Sequence, residues 1–232
     1  MMKAMILSAG YGKRLYPLTE SCPKPLIKIG NETLLSNTLL FLKAFGIQEV
    51  IINVHYLGEQ IIDYINKKNF NLSITIIEEK NILDTGGGVL NVIQHFKNDP
   101  FLTINPDTIW SLEYLKELKL MEKEFFKNQL KCSMLIVNKK KSFDKNLKGD
   151  FNLENNVISK NVKEDLRYIY TGLQIIRPNL FSGFNKFFFP INEVWYKLIK
   201  TQELHGFESH LEFLHVTTLS IYKSLVEKKF KH

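Results

Sequence analysis

At 232 residues, with 44% hydrophobic and 24% charged side chains, the chain has the make-up of a folded protein that one α/β domain can accommodate. Disordered and collagen-like chains are excluded by that balance, and no segment offers the roughly 20 apolar residues of a membrane span. The formal charge of +7 suits a handler of anionic ligands, although much of the excess lies in Lys139-Lys140-Lys141 and Lys228-Lys229, runs that usually solvate a face.

Lys3 to Ser8 reads as a buried strand entering a glycine-rich loop. Its apolar start is too short for a signal peptide, so a cytoplasmic location is expected. Leu34, Leu35, Thr38, Leu39, Leu42 and Phe45 recur at helical spacing with Gly46 as a stop, and Val50 to Val54 is a second buried strand. The alternation continues with a helix over Gly58 to Asn66, a strand over Ser73 to Ile77, a helix over Gly88 to Phe96 and a strand over Phe101 to Ile104. Leu112 to Phe126 is predicted helical and Lys131 to Val137 extended. Gly149 to Leu153 and Val157 to Ser159 suggest a small hairpin around Asn155-Asn156. Arg167 to Ile176 returns to a strand, Pro178 and Pro190 flank helix starts, and Thr218 to Lys229 closes the chain as a helix. Without repeat, linker or low-complexity stretch, residues 1–232 are expected to form a single Rossmann-like α/β domain, a mixed, mostly parallel sheet flanked by helices.

The two cysteines, Cys22 and Cys132, stand far apart and outside any metal-ligand spacing, so neither a disulfide framework nor a zinc site is expected. Three other clusters carry chemistry. In Leu7-Ser8-Ala9-Gly10-Tyr11-Gly12-Lys13-Arg14, glycines let backbone N–H groups approach phosphate oxygens, and Arg14 adds a planar fork of donors. The spacing matches neither the dinucleotide fingerprint nor the P-loop, and a glycine pair alone serves a tight turn equally well. Pro23-Lys24-Pro25-Leu26 holds one lysine between two prolines, which restricts where its ammonium points. Asp84-Thr85-Gly86-Gly87-Gly88 offers close backbone approach or a flexible turn. Asn105-Pro106-Asp107 puts a carboxylate at a strand's C-terminal end, where open α/β sheets bind ligands and where a cap or turn aspartate is also common.

Gly10-x-Gly12-x-Arg14, Pro17-Leu18-Thr19 and Pro23-Lys24-Pro25-Leu26 together resemble the nucleoside-diphosphate-sugar pyrophosphorylases, the sugar-1-phosphate nucleotidyltransferases. The resemblance implies transfer of a nucleotidyl group from an NTP to a sugar 1-phosphate, with pyrophosphate released and Mg2+ as cofactor. It implies that the backbone around Leu7, Ala9, Gly10 and Gly12 contacts base and phosphates. Arg14 then steadies the triphosphate, Lys24 contacts phosphate during transfer, and Asp107 holds the metal. Asp84, Gly86 and Gly87 are implied to lie beside the base; Asn105, Asp150, Thr171 and Gly172 are candidate substrate contacts. The glycine triplet, Asn53, His55, Leu57 and Gly58, and Gly149-Asp150-Phe151 are similar to short uridylyl-transferring members that act on N-acetylmuramate 1-phosphate. UTP is therefore the expected donor and peptidoglycan recycling the expected setting, with a guanylyl or cytidylyl transferase for a mannose- or heptose-type sugar as the alternative.

Two departures bear on this reading. Pro106 stands where relatives usually have glycine, and Phe213-Leu214-His215-Val216-Thr217-Thr218 puts His215 at the position of a second metal-binding aspartate. Imidazole lacks the charge and the oxygen that magnesium prefers, so His215 is either a ligand of a different kind or a packing residue, and a non-catalytic nucleotide binder is the rival reading. Some relatives carry a second phosphate-binding lysine in a Glu-Lys-Pro motif that this chain lacks. Lys160 and Lys163 lie in roughly that region, but in a polar segment where lysines are usually just solvated, and neither is assigned the role. No nucleic-acid or membrane partner is expected, because the aromatics fall in apolar patterns such as Phe187-Phe188-Phe189; a monomer or small homo-oligomer is.

Overall fold

The structure, a computed structural model, describes residues 2–229. In chain order the elements are β1 (Lys3–Leu7), the short helix α1 (Leu18–Ser21), the small strands β2 (Lys28–Ile29) and β3 (Glu32–Thr33), α2 (Leu34–Phe45), β4 (Glu49–Val54), α3 (Gly58–Lys67) and β5 (Ser73–Glu78). They continue with α4 (Asp84–Val92), β6 (Phe101–Ile104), α5 (Tyr114–Lys127), β7 (Cys132–Asn138), β8 (Asn152–Glu154), β9 (Val157–Ser159), β10 (Tyr168–Ile176), α6 (Asn192–Lys200), β11 (Leu204–Ser209) and α7 (Leu219–Lys229). β2 and β3 make their own hairpin, and the other strands join one 9-stranded sheet in the order β5-β4-β1-β6-β10-β7-β11-β9-β8. Only β9 and β10 run against the rest, which is the mixed, mostly parallel sheet expected from the alternation.

The pleat sends successive side chains to opposite faces. Ala4 and Ile6 of β1, with Val50, Ile52 and Val54 of β4, meet Leu35, Leu39 and Leu42 of α2 and Leu118, Met121 and Phe125 of α5 on one face. Met5 and Ile51 point the other way, onto Val89 and Val92 of α4 and Val194, Trp195 and Leu198 of α6. Helix α2 starts where it does because Thr33 Oγ1 accepts from Ser36 N–H (3.0 Å), and it stops at Gly46, whose φ of +106° lets its N–H reach Leu42 O and Lys43 O.

Several elements differ from expectation. Helix α4 begins at Asp84, not Gly88, so all three glycines lie inside it. The segment 187–189 explains this: a Cβ on Gly86 would stand 2.5 Å from the Phe189 ring, and one on Gly87 2.0 Å from Phe187 O. Packing against that segment outweighs the poor helix propensity of glycine, about 1 kcal/mol per residue. β11 was not foreseen. It runs parallel to β7 and ties on the β8–β9 hairpin through the His205–Val157 pair and a bond from Gly206 N–H to Asn156 O (2.9 Å). Pro178 begins only a 3-10 turn, Pro178–Phe181, whereas the segment after Pro190 does lead into α6. Among the described residues no helix is long and apolar enough to cross a membrane.

Candidate active site

A cavity of about 590 Å³ lies along the C-terminal ends of β5, β4, β1 and β6, the edge at which open α/β sheets take their ligands. With strands about 4.8 Å apart, the distance from the β5 end to the β6 end is roughly 14 Å. The sheet order therefore sets the axis of the cavity. Asn53 and Glu79 with Ile82 wall the β5–β4 end, the loop after β1 forms the middle, and Asn105 and Asp107 stand beyond β6.

The β1 loop is held from behind. Ser8 N–H donates to Asn53 Oδ1 (3.0 Å), and Gly12 O accepts from both the Thr19 hydroxyl (3.0 Å) and Leu15 N–H (2.9 Å). Leu7, Ala9, Gly10, Gly12 and Arg14 all line the cavity. Gly12 has φ of +64°, and a Cβ there would meet Thr19 Cγ2 at 2.9 Å and Lys24 Cβ at 3.1 Å, so only glycine lets the loop and Lys24 share a wall. The Arg14 guanidinium is exposed and makes no hydrogen bond or ion pair within the described residues, which leaves its donors for a ligand.

Lys24 and Asp107 come together from 83 residues apart: Lys24 Nζ donates to Asp107 Oδ2 at 2.6 Å, with side-chain exposures of 14% and 17%. The histidine reaches the same oxygen, Nε2 lying 3.1 Å away, because the Thr108–His215 bridge and the bond from Val216 N–H to Asp107 O (2.9 Å) lay residues 214–216 beside the turn. Pro106, in this turn, lines the same cavity. Burial alone would push the Asp107 carboxyl up, but the Lys24 ammonium, aided by His215, holds it well below the usual carboxylate range. Both neighbours crowd Oδ2, and buried Oδ1 has no hydrogen-bond partner. An orphaned carboxylate oxygen suits a hard cation shared with phosphate oxygens. No group of three or more His, Cys, Asp or Glu side chains gathers there among the described residues, so a cation at Asp107 would complete its shell with phosphate oxygens and water.

Glu79, only 5% exposed, faces the other end. Burial pushes its carboxyl up, and bonds from Asn53 Nδ2 (2.7 Å) and Leu83 N–H (3.2 Å) pull it part of the way back. Asp84 also lines the cavity, with φ of +60° and Oδ1 accepting from Thr85 N–H at 2.6 Å.

A second cavity of about 250 Å³ shares Leu7, Thr85 and Asn105 with the first. Asp150 stands in it, Oδ2 accepting from Tyr170 N–H (3.0 Å), with Lys160, Trp195, Gln174 and Asn192 around it. Burial pushes the Asp150 carboxyl up, and the bond from Tyr170 N–H, then the Lys160 charge, counter it.

Five of the residues expected from sequence line neither cavity: His215, which meets Asp107 behind the wall, Gly86 with Gly87, and Thr171 with Gly172. Gly86 and Gly87 turn their N–H groups to Phe189 O (2.9 and 3.0 Å), so their backbone approach is to the chain itself. The Thr171 hydroxyl donates to Leu135 O (2.8 Å) inside the sheet, and Gly172, φ +92°, is small because a Cβ would stand 2.9 Å from Asn105 Cβ. These glycines and the threonine shape the walls from behind. Sequence reasoning missed Glu79, Thr85, Phe188 and Thr217 on the first cavity and Gln174 and Trp195 on the second. Asn53 carried a legible signal, a lone amide in the apolar strand Val50 to Val54.

A fold with a glycine loop after its first strand and a lysine–aspartate pair across the cavity defines a nucleotide-handling α/β protein, and residues 3–143 match the Nucleotidyl transferase family: the chain belongs to it. N-acetylmuramate alpha-1-phosphate uridylyltransferase of Neisseria meningitidis serogroup B is 29% identical over 185 residues, 78% of each chain. D-glycero-alpha-D-manno-heptose 1-phosphate guanylyltransferase of Campylobacter jejuni is 35% identical over 121 residues, so that the match spans about half of either protein, 52% of this chain and 54% of that relative. The crystal structure of HddC from Yersinia pseudotuberculosis superposes with a TM-score of 0.78 at 22% identity, covering 98% of this chain and 99% of that one, a likeness of fold.

Proposed function

We propose that the chain transfers a nucleotidyl group from an NTP to a sugar 1-phosphate and releases pyrophosphate. The observation that carries this reading is the Lys24–Asp107 pair, which lines the same cavity as the glycine loop. UTP is the proposed donor, supported by the uridylyltransferase likeness over 78% of both chains. The higher identity to a guanylyltransferase over a shorter stretch favours GTP as the second reading.

A sugar-1-phosphate oxygen is already a nucleophile at neutral pH, so the protein's work is alignment and charge neutralisation. The loop around Gly10 and Gly12 receives the NTP, Arg14 grips the triphosphate, and Lys24 offsets the charge of the two approaching anions. Asp150 and Lys160 bound the second cavity, where the sugar and its phosphate fit. Asp107 would hold magnesium, which when bound neutralises charge on the transferring phosphate. The acceptor oxygen displaces pyrophosphate at the α-phosphorus in line, and Arg14 stays on the departing group.

Purified protein with magnesium, each of the four NTPs and a panel of sugar 1-phosphates that includes N-acetylmuramate 1-phosphate tests the reading. Selective pyrophosphate release with one pair supports it; silence across the panel with NTP bound favours a non-catalytic nucleotide binder. His215→Asp supplies a second carboxylate near Asp107, in place of an imidazole whose Nε2 lies 3.1 Å from Asp107 Oδ2. The expected result is at least about tenfold tighter Mn2+ binding in the presence of nucleotide, read by electron paramagnetic resonance, since like charges at that range are relieved by a cation. Unchanged Mn2+ affinity would count against a metal at Asp107.

A further inference from the structure

We infer that Phe188 is a nucleobase-contacting residue, a ring fixed at the mouth of the larger cavity so that its face covers the base of the bound NTP. The inference rests on the nucleotide reading above and adds to it a contact on the side of the cavity opposite the β1 loop.

Segment 187–189 presents three consecutive phenylalanines, and the structure treats each differently. Phe189 is an anchor, 1% exposed and stacked on Phe184 at a centroid distance of 4.6 Å. Phe187 points into solvent, 77% exposed, and lines neither cavity. Phe188 is 60% exposed yet lines the larger cavity and not the smaller one. An isolated exposed phenylalanine on a protein surface is ordinary. A ring on a backbone clamped in place beside a ligand cavity is different, because the clamp has its own cost.

Gly86 N–H and Gly87 N–H both donate to Phe189 O, Phe189 N–H donates to Leu83 O (3.2 Å), and Ile191 N–H donates to Thr85 Oγ1 (2.9 Å). The glycines that permit this approach sit in the first turns of a helix, where each forfeits about 1 kcal/mol against alanine. The clamp ties the segment to Leu83, Thr85, Gly86 and Gly87, the residues that follow β5, so Phe188 stands at the β5 end with Ile82. Lys13, Arg14 and Lys24 belong to the segment after β1 and line the same cavity. A triphosphate drawn to those cations leaves its base at the end where Ile82 and Phe188 supply apolar surface. Every base has a π-face, so a phenyl ring there strengthens binding of UTP and GTP alike, while the choice between them falls to polar groups such as Glu79. Pre-positioning the ring spares the ordering cost that a free loop would incur on binding.

The test measures binding of UTP, GTP and inorganic tripolyphosphate to the full chain by calorimetry, for the native protein, Phe188→Ala, Phe188→Trp and Phe187→Ala. Phe188→Ala is expected to weaken both nucleotides about ten- to hundredfold, the range for loss of an aromatic partner from one base, with tripolyphosphate unchanged. Phe188→Trp keeps nucleotide affinity, and Phe187→Ala stays within about twofold of the native protein, as an exposed side chain without ligand contact should. Native affinity in Phe188→Ala overturns the inference, as does an equal loss for tripolyphosphate or an equal loss in Phe187→Ala. If the native protein binds nucleotide through Phe188 but releases no pyrophosphate with any sugar 1-phosphate, the transfer reading falls and this contact stands. Pyrophosphate release by Phe188→Ala at an unaltered KM for NTP removes the contact and leaves the transfer reading intact.

Discussion

Asp107→Ala is expected to lower pyrophosphate release at least ~100-fold, the scale of one lost electrostatic contact to a transferring phosphoryl group. The side chain is a carboxylate lining the cavity beyond β6, and its Oδ1 has no hydrogen-bond partner among the described residues. Nucleotide binding should suffer far less than turnover, because the base is inferred to lie at the β5 end of the cavity, away from Asp107. A pyrophosphate-coupled assay run beside calorimetry with UTP and GTP separates the two effects. Turnover within a few-fold of native would remove Asp107 from the catalytic set.

Lys24→Ala should cost as much in turnover, again at least ~100-fold, and something in stability besides. The ammonium and the carboxylate are both mostly shielded from water, so removing one leaves a charge without its main partner. His215 remains at 3.1 Å and limits the damage to about 2–3 kcal/mol of unfolding free energy, less than for an ion stranded alone. Urea unfolding reads that loss directly. In the double variant Lys24→Met with Asp107→Asn neither charge is left stranded, so most of the stability should return while turnover stays low. If stability and turnover recovered together, the pair would be a structural bridge and the assignment of both residues would fall.

The halves of the site differed in how plainly the sequence announced them. The β1 loop and the proline-flanked lysine are local motifs: each is contiguous, and each needs only its own few residues to be recognised. Asp150 was legible for the same reason, through Gly149-Asp150-Phe151. What misled was cause, as at Gly86 and Gly87. Adjacent glycines do signal close backbone approach, but the partner is segment 187–189, about 100 positions away in the chain, and no pattern within the glycine stretch says so. Gly172 is the same case, with Asn105 as the neighbour. Glu79 escaped because a glutamate beside another, Glu78-Glu79, looks like a solvated pair until Asn53 and Leu83 close over one of them. β11 escaped because Leu204-His205-Gly206-Phe207-Glu208-Ser209 has no run of β-branched residues. Its glycine, Gly206, lies under close packing, where a Cβ would stand 2.8 Å from both Ile136 Cδ1 and Leu153 Cδ1, side-chain ends that could shift to admit it.

That late strand also sets a timetable for synthesis. β8 and β9, which follow Asp150 in the chain, lean on the sheet through β11, a strand translated more than 40 positions after the hairpin. While the chain is still emerging, β1, β4, β5 and β6 can pair and shape the wall for the nucleotide. Asp150 can bond to Tyr168 and Tyr170 once β10 has emerged, but the hairpin that flanks it must wait for Leu204–Ser209 to insert beside β7. A nascent chain stalled short of that strand would hold half a site: a nucleotide berth beside an unfinished one for the acceptor.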